Sequence, residues 1–221
     1  MARMTAQDMV TEVRLHLGGE TDETVTDNQI LRWLNRSYVE LASSYRFDEL
    51  ETSTTITTSS GTAEYTLSVA DVLTIISVKD TTNKVQLYPA SRFQYDRWTQ
   101  GNESSITGTP IYWFISGTSS GYRQVTLYPT PAGTYTLTMT YRKKPTELVL
   151  SPSATTSVLL EPWDDALILK AVGRGWRALG DDDKSYKAIL ASREAEKAAI
   201  ASTFTSSHVP LQFGSIVGGA L

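Results

Sequence analysis

The distribution of threonine constrains this chain more than any other feature of its sequence. Of the 30 threonines, 21 lie between Thr52 and Thr146, where β-branched and aromatic residues alternate with polar ones and turn residues recur at short intervals. This alternation predicts a sheet with one face in a core. The sequences on either side instead carry apolar residues three or four positions apart, which is helical spacing. The chain is therefore predicted to be α+β, in the order helix, sheet, helix.

Two helices are predicted ahead of the sheet. Residues 5–17 carry apolar side chains at helical spacing, and the pair Gly18-Gly19 ends the run. The second helix begins with the capping-box sequence Thr26-Asp27-Asn28-Gln29, in which the Thr26 hydroxyl and the Gln29 side chain satisfy each other's backbone N–H groups. Its apolar stripe predicts an end near Phe47.

Seven strands and one short helix are predicted inside the threonine-rich region. The strands cover residues 53–57, 64–67, 73–79, 84–88, 110–116, 123–128 and 135–141, and the helix covers residues 90–99. The sequence Val85-Gln86-Leu87-Tyr88-Pro89 resembles Val125-Thr126-Leu127-Tyr128-Pro129. Each copy follows a turn, at residues 80–83 and 117–121, and each ends in a proline, which cannot donate to a strand ladder. The two copies predict two similar hairpins in one small sheet domain.

Helical spacing returns after a polar connector at residues 151–157. Pro162 suits a first helical turn, Gly180 suits a C-cap, and Asp181-Asp182-Asp183 opens a fourth helix. We therefore predict a discontinuous α-helical bundle of residues 1–51 and 158–203, with an inserted antiparallel β-sandwich or barrel-like domain at residues 52–157. Residues 204–221 are rich in glycine without a helical period, and they are predicted to form an extended C-terminal tail.

The composition excludes several classes of function. The chain of 221 residues has no cysteine, which excludes disulfides, thiolate metal sites and a cysteine nucleophile. Its net charge is −4 and its pI is about 5.3, so it lacks the basic surface of most sequence-reading DNA-binding domains. It has no run of about 18 apolar residues and no apolar segment near Met1, so we expect no membrane span, no secretory signal and synthesis in a cytoplasm.

Candidates for chemistry are few. The two histidines, His16 and His208, are expected on a helix surface and in the tail. The acidic pair Asp164-Asp165 and the run at residues 181–183 suit helix starts better than a pair of glycosidase carboxylates. The sequence Gly173-Arg174-Gly175-Trp176-Arg177-Ala178 has the letters of a dinucleotide-binding motif, but inside a helix its small residues predict a close approach by a neighbouring helix. We predict no catalytic residue, no metal and no cofactor.

Two alternatives stay open on the residues alone. One is a carbohydrate-binding or adhesin-type β module, because the predicted sheet domain is rich in aromatic side chains that could form a sugar-binding surface. The other is a carboxylate-based hydrolase. The aromatic candidates are Tyr88, Tyr95, Trp98, Tyr112, Trp113, Phe114, Tyr128, Tyr135 and Tyr141.

Nearly the whole chain resembles the head-to-tail adaptor proteins of tailed bacteriophages, chiefly short-tailed ones. The resemblance rests on the order of elements and on Gly108-Thr109-Pro110-Ile111-Tyr112-Trp113, residues 125–131 (VTLYPTP) and residues 135–142 (YTLTMTYR). It implies a structural protein of the virion neck without catalytic residues. It also implies a twelvefold homo-oligomeric ring under the portal protein that continues the DNA channel and meets the tail nozzle or tail tube. DNA would pass without sequence-specific binding.

Three groups of contact residues are predicted on this basis. The resemblance implies that the tail enters the portal, through Val209, Leu211, Phe213, Ile216 and Val217. Charges of both signs on the helical domain are expected to set the register of the ring, namely Asp48, Glu49, Arg174, Arg177, Arg193 and Glu194. Polar, glycine-containing loops of the sheet domain are expected to face the phage tail, with Thr81, Thr82, Asn83, Gly101, Asn102 and Gly108 as contact points.

Overall fold

A computed structural model describes residues 4–19, 24–99, 106–150, 156–157, 159 and 161–203. The predicted α+β class is confirmed: five helices accompany a curled, mixed seven-stranded sheet. The chain divides into two compact units, called here the helical unit (Met1–Glu49 with Pro145–Leu221) and the β unit (Leu50–Lys144).

The helices are α1 (Ala6–His16), α2 (Asp27–Ser44), α3 (Arg92–Thr99), α4 (Asp164–Ala178) and α5 (Asp182–Thr203). The strands are β1 (Glu51–Thr57), β2 (Glu64–Thr66), β3 (Val72–Asp80), β4 (Val85–Pro89), β5 (Thr107–Gly108), β6 (Tyr112–Ser119), β7 (Tyr122–Tyr128), β8 (Thr130–Pro131) and β9 (Thr136–Lys143).

The predicted capping box of α2 is confirmed. The Gln29 N–H donates to Thr26 Oγ1 at 3.3 Å, and the Thr26 N–H donates to Gln29 Oε1 at 2.9 Å. The helix ends at Ser44, three residues before the predicted end at Phe47, because Tyr45 takes an extended conformation with φ −120° and ψ 157°. A second capping box, between Thr5 and Asp8, starts α1. Both boxes fix where a helix begins by satisfying N–H groups that have no partner inside the helix.

Two glycines allow the helices of the helical unit to pack closely. A Cβ atom at Gly173 would lie 2.9 Å from Ile189 of α5, and one at Gly175 would lie 2.9 Å from Leu17 and 3.0 Å from Trp33. These distances are shorter than side chains tolerate, so only glycine fits without a shift of its neighbours. The glycine motif of α4 therefore serves packing, as its position inside a helix predicted.

The large sheet has the strand order β1-β9-β3-β4-β6-β7-β2. Its neighbours are antiparallel, as predicted, except for the parallel pair β4–β6, and the small sheet β5–β8 is parallel as well. The antiparallel prediction is wrong at β4–β6. Two parallel strands need a long connection that brings the chain back to the end of the sheet where the first strand began, and the segment between β4 and β6, which contains α3, is such a connection. One face of the sheet carries the core of the β unit, which includes Leu67, Val72, Val78, Leu87, Trp113, Val125, Leu127, Leu137, Met139 and Tyr141.

The two similar sequence segments form the second strands of two hairpins, β3–β4 and β6–β7. The first turn was predicted at residues 80–83 and lies one residue later, at residues 81–84, because Asp80 still pairs in β3. The second turn was predicted at residues 117–121, but β6 continues to Ser119 past an irregular register near Gly117. The turn is tighter because Ser120 and Gly121 both have positive φ, at 51° and 83°, which reverses the chain within two residues.

Candidate functional site

The β3–β4 turn, residues 81–84, is an exposed loop held from beneath by one buried carboxylate. Asp80 is 1% exposed. Its Oδ1 accepts the N–H groups of Thr82 at 2.8 Å and Asn83 at 3.1 Å, and its Oδ2 accepts the Asn83 amide at 2.7 Å. Three hydrogen bonds satisfy this buried group. The turn is thus held in one shape while Thr81, Thr82 and Asn83 face solvent.

Strand β9 fixes the same turn from the side. The Thr81 hydroxyl donates to the carbonyl oxygen of Thr136 at 2.8 Å, and the Thr136 N–H donates to Thr82 Oγ1 at 2.9 Å. A loop that is held in advance loses little conformational entropy when a partner binds it. These bonds hold Thr81, Thr82 and Asn83 in one defined and exposed loop. Gly108 lies in β5 and is half-buried, whereas Gly101 and Asn102 lie outside the described residues.

Helix α3 covers a layer of aromatic rings on the sheet face opposite the core. The Tyr95 ring lies 4.8 Å from that of Phe114, and the Trp98 ring lies 4.6 Å from Tyr112 and 5.1 Å from Tyr128. Strand alternation explains the layer, because the neighbours Trp113 and Leu127 point into the core instead. Most of the rings that were candidates for sugar binding therefore pack inside the β unit. Of the nine, Tyr95, Trp113, Phe114 and Tyr141 are buried, Trp98, Tyr112, Tyr128 and Tyr135 are half-buried, and Tyr88 is exposed.

A network of ionic side chains lies inside the helical unit. Lys170 donates to Glu196 Oε1 at 2.8 Å and pairs with Glu40 at 3.2 Å, while the Tyr45 hydroxyl donates to Glu196 Oε2 at 2.6 Å. Desolvation and the nearby Glu196 carboxylate raise the pKa of Tyr45 to about 12. The network joins α2, α4 and α5. Sequence reasoning missed it, because Glu196 had the appearance of an ordinary charged residue on a long helix.

Some of the predicted ring residues already form ion pairs within one copy of the chain, and others do not. The Arg174 guanidinium donates to Ser37 Oγ at 3.1 Å and to Glu40, so its charge is already paired. Glu194 pairs with Lys197 at 2.7 Å, and Asp48 lies 3.7 Å from Arg46. Arg177, Arg193 and Glu49 are exposed, and within the described part of the chain none of the three forms an ion pair.

Among the described residues considered for chemistry, His16 and Asp165 line one open pocket without a hydrogen bond or ion pair between them. His16 is exposed at the end of α1, and Asp164 and Asp165 lie in the first turn of α4. Asp181 Oδ1 accepts the Lys184 N–H at 2.9 Å, and this hydrogen bond lowers the pKa of Asp181, as expected of a helix cap. Within the described ranges no three His, Asp or Glu side chains are grouped to hold a metal ion. His208, Val209, Leu211, Phe213, Ile216 and Val217 lie outside those ranges.

Comparison with protein families identifies the chain. The model of the family described as SU10 adaptor protein matches residues 4–211. The chain belongs to the SU10 adaptor protein family. This is a family of phage head-to-tail adaptors, so the adaptor has a structural role in the virion, at the neck, and associates with portal and tail components. A search of curated proteins found no match. Among the helices of the described residues, none has the length and apolarity to cross a bilayer.

Proposed function

We propose that this adaptor forms a closed ring of identical copies between the portal and the tail, through which the phage DNA passes. The number of copies, twelve, is taken from the adaptors that the sequence resembles. The observation that carries the proposal is the extent of the family match, since residues 4–211 include the described helices and strands of both units. The net charge of −4 supports a conduit, because a channel must let DNA pass rather than bind it tightly.

The helical unit is proposed to carry the contacts between copies. Arg193 lies on an outer stripe of α5 with Tyr186 and Leu190, which are seven and three positions before it and 64% and 40% exposed. A stripe of apolar and charged side chains is typical of a surface that meets another protein. Arg177 and Glu49 add charges that no described residue of the copy neutralises, and charges of this kind fix the register between identical copies.

Co-sedimentation with purified portal rings tests the ring proposal. Wild type is expected to bind portal rings at a fixed, saturating ratio. The double variant Arg177→Glu/Arg193→Glu is expected to lose at least tenfold in apparent affinity, because both reversals oppose the neighbouring copy. Arg97→Glu is the matched control, since Arg97 is an exposed, unpaired arginine of the β unit as far as the structure describes its surroundings. Equal binding by the double variant and the control would move the ring contacts away from the helical unit.

The C-terminal segment is proposed to anchor each copy to the portal. Its apolar residues Leu211, Phe213, Ile216 and Val217 are interrupted by glycine and polar residues, which suits an extended segment held by pockets of a partner. Each buried apolar side chain contributes roughly 1.5 to 3 kcal/mol, reduced by the entropy of ordering the segment. Truncation after Thr203 is expected to leave a folded protein that no longer binds portal rings, and Phe213→Ala to weaken binding without lowering the Tm. Full binding by the truncated protein would exclude the segment as the anchor.

The loops of the β unit are proposed to face the phage tail, with Thr81, Thr82 and Asn83 as contact points that Asp80 and Thr136 hold in place. Deletion of residues 101–108 or replacement of residues 81–83 by glycine is expected to leave portal binding intact and to impair attachment of the tail. Loss of portal binding instead would reverse the orientation. The carbohydrate-binding alternative predicts a monomer that ignores portal rings and is retained on glycans.

A further inference from the structure

The helical unit has two open pockets of opposite charge. The first has a volume of about 560 Å³ and is lined by Gln29, Arg32, Trp33, Asn35, Arg36 and Glu147, among others. The second has a volume of about 470 Å³ and is lined by Met4, Glu12, His16, Asp165, Ile168 and Leu169, among others. We call them the basic pocket and the acidic pocket. They share no lining residue.

The charges of both pockets are available to a partner. Arg32 and Arg36 are exposed one turn apart on α2, and in the described ranges neither forms a hydrogen bond or an ion pair. In the acidic pocket, Asp165 is exposed and Glu12 is half-buried, and in the described ranges neither side chain forms a hydrogen bond or an ion pair. Arginines bind carboxylates through parallel N–H donors, and Trp33, which lines the same pocket, adds an apolar surface for a partner residue such as Met4 or Leu169.

Helix α4 places the two pockets on different sides of the helical unit. Asp165 and Leu169 line the acidic pocket near the start of α4, and Ala178 lines the basic pocket at its end. At about 100° and 1.5 Å per residue, Asp165 and Ala178 point about 140° apart and lie about 20 Å apart along the axis. The arginines of the basic pocket therefore cannot reach the acidic pocket of the same copy.

We propose that Arg32 and Arg36 at the basic pocket of one copy reach into the acidic pocket of the next copy and pair with Glu12 and Asp165, in a head-to-tail contact. A contact that joins two different patches on opposite sides is the kind that closes into a ring, whereas a twofold contact uses the same patch twice. The inference rests on the proposed ring and names the residues that set its register. A nucleic acid is the weaker occupant, because Glu147 lines the basic pocket and the chain as a whole is acidic, which opposes a polyanion.

A reciprocal charge reversal in the full-length protein tests the contact. The first variant is Arg32→Glu/Arg36→Glu and the second is Glu12→Lys/Asp165→Lys. Each alone is expected to assemble on portal rings at least tenfold more weakly than wild type, because every contact then joins like charges. An equimolar mixture is expected to recover assembly, since alternating copies pair opposite charges at both of their contacts. Arg97→Glu serves as the control, and circular dichroism with the Tm verifies that each variant is folded.

Each outcome decides the proposal. Assembly of either variant at wild-type level would overturn it, and so would failure of the mixture when both folded variants fail alone. Normal assembly with reduced retention of double-stranded DNA by Arg32→Glu/Arg36→Glu would identify the basic pocket as a phosphate site instead. In all three cases wild type still forms rings and the proposed function stands. If the wild-type protein itself formed no rings, both the proposed contact and the proposed function would be wrong.

Discussion

Buried carboxylates serve different purposes in the two units of this adaptor. In the helical unit, Glu196 bonds Lys170 and Tyr45, which are 26 and 151 positions away in the chain. In the β unit, Asp80 bonds Thr82 and Asn83, only two and three positions away. Glu196 thus joins distant segments of the helical unit, whereas Asp80 shapes one turn of the β unit. The two units should therefore fail in different ways.

The largest effect is expected from the aromatic centre of the helical unit. Trp163 has no exposed surface, and its ring lies 4.8 Å from Tyr45 and 4.9 Å from Phe47. Trp163→Ala should cost about 3 to 5 kcal/mol of unfolding free energy. Hydrogen exchange should show lost protection in α2 and α4 while β9 keeps its own, and Met139→Ala should produce the opposite pattern. If either variant lost hydrogen-exchange protection equally in both units, the two units would not be stabilised independently.

The ionic network should respond in a way that the apolar core cannot. Glu196→Ala leaves Lys170 with Glu40 alone and Tyr45 without its acceptor, so we expect a loss of about 2 kcal/mol in chemical denaturation. Replacing both partners, as Lys170→Met/Glu196→Leu, should recover most of that loss because no buried charge is left unpaired. A double variant as unstable as Glu196→Ala would contradict the role of Glu196 as a partner for charge.

The buried carboxylate of the β unit should act only locally. Asp80→Ala removes three hydrogen bonds to an exposed turn, and water can replace part of them, so we expect a loss of about 1 to 2 kcal/mol. Hydrogen exchange should accelerate at Thr82 and Asn83 and stay unchanged in β1 and β7. Lost protection across the whole sheet would show that Asp80 supports more than its turn.

The smallest expected effect is the pH dependence that Tyr45 gives to the stability of the helical unit. Tyr45 donates to Glu196 only while it is protonated, and its pKa in the folded protein is about 12 against an ordinary value of 10.0. The hydrogen bond from Tyr45 to Glu196 therefore stabilises the folded protein fully below about pH 10, and this stabilisation is lost as the pH rises through 12. The difference in unfolding free energy between wild type and Tyr45→Phe should be constant up to pH 10 and then shrink. A difference that is unchanged at pH 12 would contradict this assignment.

The features that were predicted correctly depend on residues close together in the chain. The capping box at Thr26, the two hairpins and the packing role of the glycines in α4 each involve local geometry or one helix surface. The parallel pairing of β4 with β6 was missed because it depends on the path that residues 90–111 take between the two strands, and no local sequence pattern predicts that path.

The candidate contact residues were harder to predict for the same reason. Whether Arg174 is available to a partner depends on Glu40 and Ser37, more than 130 positions earlier in the chain. Arg32 and Arg36 are one helical turn apart in the sequence, but so are many solvent-exposed pairs. Only the position of Trp33 and the end of α4 beside them makes a pocket.

The native mass of the adaptor, alone and mixed with purified portal rings, tests the central claim most directly. The account predicts a discrete complex whose mass equals one portal ring plus twelve copies of the 24.4 kDa chain, with no partly filled rings at saturation. A graded series of partly occupied portals would contradict a closed ring of copies that contact one another. A chain that stays monomeric beside unmodified portal rings would contradict the proposed function.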